Sequence, residues 1–374
     1  MFRAEQVAKG VLAKADIHVG GSRPWDVTVH DPRTYRRVLR DGSLGLGESY
    51  GEGWWDAPAV DEFITKLLRA DVRRHLRLTL ADLALLLQSV VLNLQDHSRA
   101  FKIGEAHYDI GNDLYRVMLD SRMAYTCGYW SGSPPAKTLA EAQEAKLDLV
   151  CRKIGLEEGQ RVLDIGCGWG SFAKFAAEKY GAQVVGITVS KEQVALGKEL
   201  CKGLPVELRL QDYREVDETF DHIVSLGMFE HVGCKNYREY FKVAQRCLKE
   251  GGLFLLHTIG SNVSARSGEP WLTKYIFPGG MLPSMAQVAR AAEGFFVIEE
   301  AHNFGADYDK TLMAWFVNFD AAWLSLRARY DDRFYRMWKY YLLMCAGTFR
   351  ARSNQLWQII LSPHGVAGGY RAIR

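Results

Sequence analysis

The segment from Arg161 to Gly170, RVLDIGCGWG, constrains the fold more than any other part of the chain. A β-branched apolar run ends in an acid, glycines follow at alternate positions 166, 168 and 170, and helical spacing resumes from Phe172 to Lys179. Strand, tight turn and helix in that order are the opening of a βαβ unit. The rest of the chain continues the pattern. QVVGITV, VELRLQ, FDHIVSL, GGLFLLHTI and FFVIEEA are short apolar runs, with a helical segment from Lys191 to Cys201 between two of them. Strands alternating with helices predict an α/β fold with a doubly wound, Rossmann-like parallel sheet. A last strand is expected at Trp357–Leu361, after an aromatic-rich helical region spanning 308–356.

Glycines at 166, 168 and 170 bring backbone N–H groups against a ligand, and a following helix N-terminus favours an anionic group. A glycine loop alone leaves the ligand open. A nicotinamide site wants GxGxxG with an acid about 20 residues later, at the end of the second strand. Here that strand ends in Thr188-Val-Ser190 and the acid sits at Asp164, before the glycines. This arrangement resembles the S-adenosylmethionine loop of class I methyltransferases.

Bulk properties exclude several classes. A net charge of +3 over 374 residues is too small for a domain-wide nucleic-acid surface. Seven cysteines without a CxxC pair fit reduced thiols better than a disulfide frame or zinc site. His222, His302 and Asp307 match no compact ligand spacing, so no metal is assigned. The charged N-terminus lacks the apolar core of a signal peptide, which predicts a cytoplasmic protein. The most apolar stretch, 83–94, is interrupted by Gln88, Ser89 and Asn93 and falls short of the roughly 20 residues a spanning helix needs.

Upstream of the sheet, residues 1–95 read as a small α+β domain. Trp25–Val29 reads as strand, GLGESYGEGWW (45–55) as a glycine-punctuated loop, and 61–94 as helical. Lys66, Arg69, Arg73 and Arg77 recur at helical spacing with Arg74 beside them, a basic stripe suited either to anionic lipid or to plain solvent. Residues 96–145 read as a linker with helices covering the active site, and 146–374 as the catalytic domain.

The strings HYDIGNDLY (107–115), YTCGYW (125–130), VLDIGCGWGSFA (162–173), GITVSKEQ (186–193), GMFEHVG (227–233), LLHTIGS (255–261), KYIFPGGMLPS (274–284) and HNFGADYDKTLMAW (302–315) resemble, in this order, the cyclopropane-fatty-acyl-phospholipid synthase family and the related mycolic acid cyclopropane synthases. The resemblance continues into GLGESYGEGWW upstream and CAGTFRARSNQLWQ downstream. It implies S-adenosylmethionine as methyl donor. Tyr125 and Thr126 would cover it, and Asp164, Gly166, Cys167, Gly168, Trp169 and Gly170 would cradle its methionine end. Thr188, Ser190 and Gln193 would take the ribose side, and Gln211, Asp212 and Tyr213 the adenine. For Asp212 a loop-capping role is the rival.

The implied acceptor is a cis alkene in an unsaturated phospholipid acyl chain, and the implied product a cyclopropane. An alkene is a weak nucleophile, so in-line, dry positioning must supply much of the rate, and it can supply roughly 7–11 kcal/mol. The resulting carbocation needs stabilisation without trapping. Aromatic faces can each contribute roughly 0.5–2 kcal/mol, and Tyr108, Tyr125, Phe277 and Tyr308 match the family's positions. A bound bicarbonate is the implied base, with Cys127, Glu230, His257, Ile259 and Tyr308 at matching positions. Glu230 can meet such an anion only by accepting its O–H or by being protonated itself. Cys127 and Ile259 are expected to act through backbone N–H groups, and His231 to pack beside the site. The family also implies a homodimer working at the inner face of the cell membrane. An open methyl or methylene-branched product, or a small-molecule acceptor, is the alternative on the same fold.

Overall fold

The computed structural model describes residues 2–71 and 111–374. In chain order the N-terminal elements are α1 (Phe2–Lys14), β1 (Thr28–Val29), α2 (Arg33–Gly51), β2 (Trp55–Asp56) and α3 (Val60–Arg69). Then come α4 (Asn112–Met118), α5 (Leu139–Lys153), β3 (Arg161–Ile165), α6 (Ser171–Tyr180), β4 (Gln183–Thr188), α7 (Lys191–Leu200), β5 (Val206–Leu210) and β6 (Phe220–Leu226). The chain continues with α8 (Tyr237–Cys247), β7 (Leu248–Ser261), α9 (Pro270–Tyr275), α10 (Met285–Ala292), β8 (Val297–Asn303), α11 (Ala306–Leu326), α12 (Asp332–Arg350) and β9 (Asn354–Ser362).

These elements form two compact units. Among described residues the first holds 2–71, 266–278 and 308–354; the second holds 111–265, 279–307 and 355–374. The units therefore do not follow the contiguous partition 1–95, 96–145 and 146–374. The reason is packing of α12 and α9 within the first unit: α12 lies against α2 and α3, and α9 against α2.

In the first unit Tyr50, Trp55, Trp271 and Tyr340 stack with centroids 4.8–6.4 Å apart. Such offset and edge-on pairs add roughly 0.5–1.5 kcal/mol each beyond area burial. Arg350 ties α12 to α3 by bonding Asp61 at 2.5 Å and Glu62 at 2.6 Å. Residues 45–51, expected as loop, are helical and belong to α2. The physical reason is close approach: a Cβ at Gly45 would meet the Arg37 carbonyl oxygen at 2.6 Å, and one at Gly47 the Trp271 ring at 2.4 Å. Those glycines serve contact rather than turning, while the kink falls at Gly42, with φ of 60°. The Trp25–Val29 strand shrinks to β1, and β9 extends the expected Trp357–Leu361 run at both ends.

The second unit carries a seven-stranded sheet in the order β5-β4-β3-β6-β7-β9-β8. β3 pairs in parallel with β4 and β6, β4 with β5, and β6 with β7, whereas β8 and β9 are antiparallel. The central strands are buried along nearly their whole length, as parallel strands covered by helices must be. The order reverses at β3, which has β4 on one side and β6 on the other. Its carboxyl end is thus the topological switch point where α/β sheets bind ligands. All seven cysteines are free thiols. Among the described residues no helix is long and apolar enough to cross a membrane, and no three His, Cys, Asp or Glu side chains cluster as metal ligands.

Candidate functional site

The DIGCGWG turn opens a cavity at the carboxyl end of β3. Gly166, Gly168 and Gly170 have φ of 83°, 56° and 83°, a region open to glycine and costly for other residues. The N–H groups of Gly166 and Cys167 both donate to the Ile187 carbonyl, at 2.9 and 3.0 Å, which pins the loop to β4. A Cβ on Gly166 would come within 2.5 Å of the Met228 Cβ. The loop can occupy this position only as glycine.

The cavity is lined by Tyr125, Thr126, Asp164, Gly166, Cys167, Gly168, Trp169, Thr188, Gln193, Gln211, Asp212 and Tyr213, all expected from the sequence. Gly170 and Ser190 are not lining residues and take structural roles. Gly170 is the left-handed N-cap of α6, and the Ser190 hydroxyl caps α7 by accepting from the Gln193 N–H at 3.3 Å. Trp169 is held on two sides: its indole N–H donates to Asn112 at 2.9 Å and its ring lies 4.8 Å from Tyr115, which in turn meets Tyr125 at 5.2 Å. Thr188 and Gln193 are joined by a 2.7 Å hydrogen bond. Asp212 accepts from the Arg214 N–H and guanidinium at 2.9 Å, so it caps the turn at 213–215 while also bordering the cavity. Met123, Arg214 and Met228 also line it without having been expected there, and His231, expected to pack beside Glu230, borders this cavity as well. Burial lowers the His231 pKa to about 4, leaving its ring neutral.

Asp164 is only 2% exposed, and burial raises its pKa against the opposing pull of Lys146. A carboxylate at the floor, aromatic walls and a hydroxyl–amide pair opposite suit a nucleoside that carries positive charge. These residues fit S-adenosylmethionine.

Beside this cavity lies a second group of polar atoms. Glu230 sits on a short turn, Phe229–His231, after β6, with His257 and Ile259 on β7. Residues two apart on a strand share a face, so His257 and Ile259 point the same way. The Ile259 N–H donates to Glu230 Oε1 at 2.6 Å, and the Gly227 N–H to the His257 carbonyl at 2.9 Å. The Ile259 N–H, expected as an anion donor, is taken here by the Glu230 carboxyl, which follows the neighbouring strand β6. Glu230 Oε2 and His257 Nε2 are buried without a hydrogen-bond partner. Burial raises Glu230 to about 7, with the Ile259 N–H and Thr258 hydroxyl opposing. His257 falls well below its ordinary value through burial, with Lys146 and Lys153 adding to the effect. A neutral imidazole and a carboxyl near half-protonation at neutral pH suit a small anion with one O–H.

Cys127 is fully buried and its thiol donates to the Gly128 carbonyl at 3.2 Å. Tyr308 and Phe277 belong to the first unit. There Tyr308 packs 4.5 Å from Phe349 and 6.0 Å from Trp315, and Phe277 lies edge-on to Tyr341 at 5.7 Å. Of the basic stripe, Lys66 is paired with Asp16 at 2.9 Å and lies over Trp25, and Arg69 donates to the Arg350 carbonyl at 3.1 Å. Arg73, Arg77 and Tyr108 lie outside the described residues.

Residues 95–359 match the family model described as mycolic acid cyclopropane synthetase. The chain belongs to that family. The cyclopropane-fatty-acyl-phospholipid synthase of Escherichia coli K12 is 50% identical over 369 residues, covering 99% of this chain and 96% of the relative. Cyclopropane mycolic acid synthase 2 of Mycobacterium leprae is 36% identical and covers 69% of this chain and 92% of its own length. Among solved structures, mycolic acid cyclopropane synthase CmaA1 complexed with SAH and CTAB superposes with a TM-score of 0.65 at 34% identity, covering 70% of this chain and 97% of that one. Family membership places the chain among class I S-adenosylmethionine-dependent methyltransferases, in agreement with the sheet order and the cavity.

Proposed function

We propose that this enzyme transfers a methylene group from S-adenosylmethionine to the cis double bond of an unsaturated phospholipid acyl chain and closes a cyclopropane ring, with bicarbonate as the base. The observation that carries the base is the pair of orphaned buried atoms, Glu230 Oε2 and His257 Nε2, set beside the donor cavity. The full-length likeness to the Escherichia coli phospholipid enzyme supports the acceptor.

When bound, S-adenosylmethionine supplies an electrophilic methyl, and bicarbonate a base for the proton that leaves it. The chain's own residues prepare both sites. Tyr125 and Trp169, fixed through Tyr115 and Asn112, wall the donor cavity and would shield a bound donor from water. Glu230 accepts an O–H at Oε2 or donates one when protonated, and neutral His257 offers Nε2. Gln358 Nε2 lies 3.4 Å from His257 Nδ1, and the ring is held there on β7. Burial of both groups strengthens each bond they make to an anion.

The same proposal has the protein working as a homodimer at the cytoplasmic face of the membrane. Since Lys66 is already paired, lipid contact by the basic stripe would fall chiefly to Arg73 and Arg77.

Depleting carbonate tests the base. In degassed, carbonate-free buffer turnover should fall by about 10²–10⁴-fold, the range typical of a lost general base, and return on adding bicarbonate, with donor affinity unchanged. Equal rates with and without carbonate would remove bicarbonate from the account.

A further inference from the structure

Helix α5 buries a lysine. Lys146 is 0% exposed, on the face that also carries Ala142, Gln143, Leu147 and Val150. An isolated ammonium in such a place costs several kcal/mol unless it is paired and hydrogen-bonded. Its Nζ donates to the Thr126 hydroxyl at 2.8 Å.

Three neighbouring contacts show that this helix face is the seat of the segment 124–129. Gln143 Nε2 donates to the Thr126 carbonyl at 2.7 Å and lies 3.4 Å from that of Ala124. The Tyr129 N–H donates to the Ala142 carbonyl at 2.8 Å. At Gly128 a Cβ would sit 2.9 Å from the Ala142 Cβ, so the backbone lies directly on the helix. Tyr125 and Thr126 from this segment line the donor cavity, and the Thr126 methyl would meet a Cβ on Gly227 at 2.8 Å. Gly227 begins the loop that carries Glu230.

The charged and titratable groups around Lys146 are Asp120, Cys127 and Asp164, and its field also reaches His257. Asp164 in turn acts on the Cys167 and Cys201 thiols and the Tyr240 phenol. Burial pushes all three of these upward, so they stay neutral near pH 7. Among the described residues, Lys146 is the cation acting on Asp164.

We propose that Lys146 is a positioning residue for the methyl donor: its buried ammonium fixes the Thr126 hydroxyl, and with it the segment that lines the cavity, and serves as counter-charge to the Asp164 carboxyl. A donor bearing a sulfonium and an ammonium binds a carboxylate floor and is not drawn to a protonated one. Without the cation, the Asp164 pKa rises further, so the carboxylate fraction falls at neutral pH and recovers as pH rises.

The test is calorimetric titration of Lys146→Met with S-adenosylmethionine, without lipid acceptor, at pH 7 and pH 9, beside wild type. One further unit of upward shift in Asp164 weakens binding about five- to tenfold at pH 7 and leaves little deficit at pH 9. A helix that had merely lost packing would give a deficit equal at both pH values. Equal or tighter binding at pH 7, or a pH-independent deficit, overturns the proposal. Should Lys146→Met fail to fold, Asp164→Asn supplies the second reading. This isosteric variant must bind weakly with no pH dependence from 7 to 9 in the presence of Lys146. A wild-type affinity there likewise overturns it.

Discussion

Replacing Glu230 with Gln should leave donor binding and melting temperature close to wild type while turnover falls about 10²–10³-fold. The amide keeps a carbonyl oxygen for the Ile259 N–H, the 2.6 Å bond that anchors the side chain. What it loses is the second oxygen, the buried Oε2 without a protein partner. An NH2 in that place cannot accept an O–H and cannot release a proton. Stability and chemistry therefore separate at this residue. Calorimetry with S-adenosylhomocysteine, thermal unfolding and turnover on the same preparation check it. A variant with full turnover would show that Oε2 is idle, and one with a collapsed melting temperature would make Glu230 a structural group.

The second large effect falls on the donor. Gly166→Ala adds a methyl where φ is 83° and where its Cβ would meet Met228 at 2.5 Å. The conformational term is roughly 1–2 kcal/mol, and overpacking typically costs about 1–3 kcal/mol. Relief can come only by moving the loop or Met228, and both line the cavity. Since about 1.4 kcal/mol is a factor of ten, donor affinity should fall at least tenfold. Gly168→Ala is the control. Its φ is also positive, but a Cβ there meets nothing within 4 Å, so the loss should be smaller. Equal losses at the two positions would mean that backbone conformation, not the approach of Met228, governs the cavity.

Much of this was legible in the chain. The parallel strands were visible because each is a short apolar run bounded by turn residues, and the cofactor turn because alternating glycines after an acid have few other uses. The place of β9 between β7 and β8 was not. Sheet order depends on which edges remain open when the last strand arrives, and no local pattern encodes that. The glycines at 45 and 47 misled because turning and close approach ask for the same residue. Lys146 escaped notice for a related reason: a lysine in an amphipathic helix reads as solvent-facing, and only the partners Thr126 and Asp164 reveal its burial. The motif residues around Glu230 and His257 were found, but the capture of the Ile259 N–H by Glu230 was not, since it depends on the register of β6 against β7.

The most direct test of the central claim is incubation of the protein with S-adenosylmethionine and liposomes of a cis-unsaturated phospholipid, followed by mass and proton NMR analysis of the acyl chains. The account predicts a gain of one CH₂ per modified double bond, with upfield cyclopropyl protons replacing the vinyl signals. The same mass gain with an open methylene branch would assign a different ending on the same fold. No gain in acyl mass, with methyl transfer to a soluble small molecule instead, would contradict the account outright.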